Sequence, residues 1–261
     1  MSRNVLSRSA PGPDGTVAYG DHRDQVIDVH LLRGDEGPAP VVIFLHGGFW
    51  RPGYDRVHAR PLAQGLVEAG HLVLLPEYRR AGWPVLFDDV AAGVDRALTL
   101  VPEYGGDPAR VVLMGHSAGG HLVLWSAARH RLPADSPWHR PSPDVRVVAL
   151  AACSDLELCA EWALDVDAAA TLMGGGPGKV PERYALADPA ALLPLGTPVT
   201  LVHGTADDRV PVQMSREYAA RAIGSADPIA LVELPGVDHF ALIDPLSTAW
   251  PAVLGAVTTS G

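Results

Sequence analysis

The sequence predicts an α/β fold: a mostly parallel sheet of eight strands with helices on both faces and a small cap insertion. Three observations carry this. Short apolar runs rich in β-branched residues alternate with longer amphipathic stretches along nearly all 261 residues, the pattern of strand, crossover helix and parallel strand. The 24 prolines and 27 glycines fall between those runs and not within low-complexity tracts, so they mark element boundaries. Hydrophobic residues make up 48% and charged residues 19%, enough apolar content to bury one large core in a single domain spanning 1–261.

In chain order, residues 17–19 and 25–32 alternate polar and apolar side chains and read as antiparallel edge strands. Six runs then read as buried strands: 41–45 (VVIFL), 71–75 (HLVLL), 111–114 (VVLM), 145–150 (VRVVAL), 199–202 (VTLV) and 229–234 (IALVEL). Helical periodicity covers 56–69, 84–100, 118–130, 211–223 and 245–257. Three of these stretches open on proline, which suits a first turn whose amide needs no partner. Residues 132–144 form a proline-rich loop expected on the surface, and 154–195, with GGGPG at 174–178 and no strong strand, is expected to cap the carboxyl edge of the sheet.

A formal net charge of -10 without a Lys/Arg cluster leaves no electrostatic footprint for nucleic acid. Residues 1–20 contain no apolar signal core, and no stretch reaches the length of a membrane span, so a soluble, cytoplasmic protein with no membrane partner is expected. Cys153 and Cys159 are the two cysteines, too few for a disulfide framework, and are expected as buried thiols. The eleven histidines form no metal-ligand spacing, so neither metal nor cofactor is expected.

Residues 115–119 (GHSAG) follow a buried strand directly and open a helix. This is the Gly-x-Ser-x-Gly pattern in the strand-to-helix context that exposes a nucleophile, here Ser117. A serine hydroxyl needs a base, and with the chain order Ser, acid, His, the one histidine after residue 206 is His239, just past the turn 235–238 (PGVD). The acid belongs on the loop after the penultimate strand, where HGTADDRVP at 203–211 offers two carboxylates. The spacing favours Asp207, with Asp208 as the alternative; Asp155 and Asp238 read as a cap-entry and a turn residue. Residues 46–50 (HGGFW) follow the first central strand, where Gly47, Gly48 and Phe49 can turn amides inward and join the amide of Ala118 as an oxyanion hole. His46 reads as a structural histidine tying that loop, and His121 as a packed helix histidine.

HGGFW, GHSAGGHL at 115–122 and HGTADDRVP together resemble the α/β-hydrolases over nearly the whole chain. They are most similar to the branch that holds kynurenine formamidases (arylformamidases) and small carboxylesterases. The resemblance implies a serine hydrolase that cleaves a small ester or aryl formamide through an acyl-enzyme, with a peptidase-like acyl hydrolase or a silent binding protein on the same fold as alternatives. EYRRAGW at 77–83 resembles bacterial esterase or peptidase-like members, with Arg79 as a structural ion-pair partner. Trp50, Leu156, Leu172, Met173 and Phe240 are expected to line the substrate pocket. With no arginine or lysine evident in such a wall, a small uncharged acyl or aryl group is the expected substrate.

Overall fold

The computed structural model describes residues 2–34, 37–223, 227 and 229–258. Eight strands form one sheet: β1 (Gly15–Ala18), β2 (Val26–His30), β3 (Ala39–Leu45), β4 (Leu72–Pro76), β5 (Gly106–His116), β6 (Arg146–Leu150), β7 (Val199–Gly204) and β8 (Ile229–Leu234). Their order is β1-β2-β4-β3-β5-β6-β7-β8. The first two pairings are antiparallel and the rest parallel, so the expected fold class holds, including the antiparallel edge.

The helices are α1 (Arg60–Glu68), α2 (Val85–Glu103), α3 (Ala118–Ala127), α4 (Leu156–Glu161), α5 (Leu164–Met173), α6 (Pro181–Ala187), α7 (Gln213–Ile223) and α8 (Trp250–Thr258). Alternation along β3 divides the core. Val41, Ile43 and Leu45 pack with α2 and α3 on one face, while Val42 and Phe44 pack with α1 and α8 on the other. Every one of these strand side chains is buried, which is why the central runs read as continuously apolar.

The last helix is shorter than its periodicity suggests. Residues 239–243 form a 3-10 turn, and Asp244, ion-paired to Arg8, interrupts the chain before α8 begins. The proline-rich loop is also less superficial than expected. Trp138 is buried, donates Nε1 to Asp88 Oδ1 at 2.8 Å, and stacks edge-on against Trp83 and Trp125. Three arms of an aromatic cluster outweigh the polar composition around it. Between β6 and β7 the chain runs through α4, α5 and α6, the stretch expected to carry no strand.

β3 lies between β4 and β5, and the chain leaves β3 for α1 on one face and β5 for α3 on the other. Ligand crevices open at such a switch point, beyond the carboxyl ends of the strands. The loops that emerge there begin with His46 and Ser117. Among the described residues, no helix is long and apolar enough to cross a membrane.

Candidate active site

β5 ends at His116, and Ser117 takes φ 57° and ψ −118° before α3 begins. An L-residue pays for a positive φ in steric strain, so the neighbours must hold it. They do: Ser117 N donates to Leu150 O at 2.8 Å, and its carbonyl accepts from His121 N at 3.2 Å and Cys153 N at 3.1 Å. Gly119 is required by close approach, since a Cβ there would lie 2.0 Å from Leu45 O. The sharp turn thus presents Ser117 at the start of a helix, facing the loop that follows β3.

That loop carries Gly48 at φ 121°, with Phe49 and Trp50 also left-handed at 48° and 58°. The amides of Gly48, Phe49 and Ala118 donate to no group among the described residues, leaving them for a ligand oxygen. The loop is anchored behind by His46, whose Nε2 donates to Glu77 Oε1 at 2.9 Å and whose ring stacks on Tyr78 at 4.5 Å. Tyr78 in turn donates its hydroxyl to His46 O at 2.7 Å. His46 therefore ties the loop down, and Arg79 forms its ion pair with Asp89 at 2.6 Å.

Burial would raise the Glu77 carboxyl, but the charge and hydrogen bond of His46, the Arg80 guanidinium and the Arg56 amide outweigh it and hold it at about 2. A carboxylate lowered in this way stabilises the fold above its unfolded value of about 4.5, and the contribution fades as pH falls toward 2. At about 1.4 kcal/mol per unit, Glu77→Gln should lower stability near pH 7 by about 3 kcal/mol. Urea unfolding of both proteins at neutral pH and near pH 3 checks this, since the gap should narrow in acid.

His239 follows β8 through a turn that Asp238 caps by accepting from Phe240 N and Ala241 N. Its Nδ1 donates to Asp207 Oδ2 at 2.6 Å. Burial would raise the Asp207 carboxyl, but hydrogen bonds from His203 and His239 and the amide of Val210 hold it well below the usual carboxylate range. Asp207 Oδ1 accepts the amides of Arg209 and Val210, each at 2.8 Å, so its orientation is set from both sides. Asp208 points to solvent.

A cavity of about 40 Å³ brings together Gly47, Gly48, Phe49, Ser117, His239 and Phe240. The remaining expected pocket residues lie elsewhere. Leu156 and Met173 are fully buried in the core, and Trp50 and Leu172 line a second cavity of about 300 Å³ on the other side of Phe49. The reason is packing: the apolar residues of α4 and α5 join the buried core cluster, and the Trp50 ring meets His121 edge-on at 5.3 Å. His121 itself is buried, donating Nε2 to Ala187 O at 2.9 Å.

No local signal marks the residues that complete the cavity: Leu6, Tyr54, His58, His116, Asp165 and Arg209. Charged residues in this wall correct the expectation of a purely apolar one. His116 donates Nε2 to His239 O at 3.0 Å, and burial pushes its imidazole well below the ordinary range, so it acts as a neutral prop for the His239 loop. His203 donates Nε2 to Val210 O at 2.9 Å and lies 3.3 Å from Asp207 Oδ2, with Nδ1 accepting from Ser215 Oγ at 2.7 Å. The segment HGTADDRVP contained that second imidazole, but its approach to Asp207 depends on how the loop folds back. Asp155 caps α4 by accepting Leu158 N at 2.8 Å, and Cys153 and Cys159 are buried free thiols.

Among known proteins, the chain is 30% identical over 87% of its length to the probable carboxylic ester hydrolase LipM of Mycobacterium tuberculosis, covering 56% of that protein. It is 28% identical over 88% of its length to isoprenylcysteine alpha-carbonyl methylesterase of Arabidopsis thaliana, covering 58% of it. The chain therefore spans little more than half the length of these relatives. These relatives are esterases, and nothing in them narrows the likeness to formamidases. Esterase B from Lactobacillus rhamnosis superposes with a TM-score of 0.79 at 19% identity, over 97% of this chain and 87% of that one. At that identity the match speaks to the fold, an eight-stranded α/β-hydrolase sheet. The family model for BD-FAE matches residues 27–221, from β2 to α7, and the chain belongs to the BD-FAE family of α/β-hydrolase esterases.

Proposed function

We propose that this chain hydrolyses carboxylic esters, with Ser117 as nucleophile, His239 as base and Asp207 as the acid that orients it. The observation that carries the reading is the 2.6 Å His239–Asp207 bond at the cavity that Ser117 lines from its strained turn. His239 Nδ1 is committed to Asp207 as donor, which leaves Nε2 as the basic nitrogen of the neutral ring. Ser117 Oγ attacks the ester carbonyl, passes its proton to Nε2, and the tetrahedral oxyanion is held by amides of the Gly47–Gly48–Phe49 turn and of Ala118. The protonated imidazole then gives its proton to the leaving alcohol. Water repeats the sequence on the acyl-enzyme and frees the acid. The esterase relatives support the same class of reaction.

A cavity of about 40 Å³ beside the nucleophile suits a short acyl group. Acetyl aryl esters should therefore turn over faster than octanoyl and palmitoyl ones, and a fluorophosphonate should label Ser117. An N-formyl anilide belongs in the same assay. If the formamide rate far exceeded every ester rate, amide cleavage would replace ester cleavage as the activity. A palmitoyl preference would mean an open lipid groove, and failure of the fluorophosphonate to label would remove the mechanism altogether.

A further inference from the structure

Asp165 lines the cavity, and residues 163–167 around it take an unusual conformation. Asp165, Val166 and Asp167 are consecutive left-handed residues at φ 47°, 55° and 56°, Ala163 sits at 48°, and the Val166 side chain is 87% exposed. None is glycine, and Val166 is β-branched, so the segment is strained and must be held from outside. Two arginines from different loops hold it. Arg51, just beyond the Gly47–Gly48–Phe49 turn, donates Nε to Asp165 Oδ2 at 2.7 Å and Nη2 to the carbonyls of Asp165 and Val166. Arg209, two residues past Asp207, donates Nη2 to Asp165 Oδ1 at 3.3 Å.

The two arginines are not equivalent. Arg51 makes three bonds to the segment, whereas Arg209 makes a single one at 3.3 Å, its side chain's only hydrogen bond among the described residues. Its guanidinium stands 5.9 Å from the centre of the Phe49 ring, and it lines the cavity with Ser117 and His239. The backbone amide of Arg209 is fixed on Asp207 at 2.8 Å, so the base of this side chain moves with the Asp207 loop. Two cations thus share one carboxylate at the entrance, and that carboxylate is borne by a strained strand of chain.

We propose that Arg209 is a specificity-determining residue that seats a carboxylate at the far end of the ester, the place that Asp165 fills in the free protein. This rests on the reading of the chain as an esterase. A guanidinium fork donates to both oxygens of a carboxylate through two parallel bonds, a better geometry than its single long bond to Asp165. A substrate carboxylate that takes Arg209 releases one of the two fastenings of residues 163–167, and the strained backbone favours the release. The narrow cavity then widens for the substrates whose charge opened it. The substrate class is a monoester of a dicarboxylic acid, or an ester whose alcohol carries an acid group.

The test compares kcat/KM for monomethyl succinate, adipate and suberate with the matching dimethyl esters, and with the methyl ester of ε-aminohexanoic acid, at neutral pH. The intact protein should prefer at least one monoester over its diester by about tenfold or more, a preference weakened by salt. Arg209→Gln should bring that ratio to about one, mainly through KM, and Arg209→Lys should keep part of it. Asp165→Asn removes the internal competitor and should raise the ratio. These opposite directions decide the matter even if one variant folds poorly. Diester cleavage with no monoester preference, or a ratio unchanged in Arg209→Gln, overturns the proposal while leaving the esterase reading intact. A preference for the ammonium ester that Asp165→Asn abolishes overturns it as well, making Asp165 the recognition group. Cleavage of no ester at all removes the esterase reading and this proposal with it.

Discussion

Replacing Ser117 by alanine is expected to lower ester turnover by about 10⁶ while the protein stays folded, because members of a nucleophile-base-acid unit fail together. The side chain is small and its Oγ takes no part in the bonds that hold the turn: those run through Ser117 N and O to Leu150, His121 and Cys153. Alanine has the same backbone needs, so the unfolding midpoint in urea should move little. His239→Ala should match this loss, and the double variant should be scarcely slower than either single one. Turnover by Ser117→Ala within about tenfold of the intact protein would be incompatible with a serine nucleophile.

Asp207→Asn should lower kcat by about 10⁴, since an amide facing Nδ1 favours the wrong imidazole tautomer. Asp208→Asn should change it by less than about tenfold. The structure separates these neighbours sharply: Asp207 Oδ2 accepts His239 Nδ1 at 2.6 Å, while Asp208 is exposed. Because Asp207 is held well below the usual carboxylate range, it stays ionised wherever the fold survives. Its own titration therefore should not appear as a limb of the pH-rate profile above about pH 4. A reversal of the two variants' ranking, read from steady-state kcat on one aryl ester, would transfer the acid role to Asp208.

His203 adds a cooperative element to that pair. Its Nε2 lies between Val210 O and Asp207 Oδ2, and Ser215 Oγ fixes its other nitrogen. Such a donor supports the Asp207 charge at the same oxygen, Oδ2, that His239 holds, a positioning role rather than a chemical one.

Much of this architecture was legible before folding because it is local. The central runs of β3 to β7 announce themselves as short apolar stretches, since most of their side chains are buried on both faces, whereas β8 is a half-buried edge strand that keeps Glu233. The turn bearing Ser117 is legible for a related reason: Gly119 leaves no room for a Cβ beside Leu45 O, so the spacing around Ser117 is written into the residue types. His239 and Asp207 could be nominated by their places after β8 and β7, and the bond between them is formed by loops whose starting points the sheet order dictates.

Only the tertiary structure decided which side chains face the cavity. Leu156, Leu172 and Met173 look like pocket residues along the chain, yet all three are buried in the apolar core, where removal from water is worth most. Trp50 follows the same logic, turning onto His121 and away from Ser117. Conversely, Asp165 and Arg209 are 44 positions apart, and Asp165 and Arg51 are 114 apart. Ion pairs at such separations leave no periodicity or spacing to read, because each partner alone is an ordinary charged loop residue. The sequence by itself determined the sheet, the turn bearing Ser117 and the nominated base and acid. The charged mouth of the cavity came from three loops converging in space, a consequence of where the β6–β7 insertion packs that no local signal encodes.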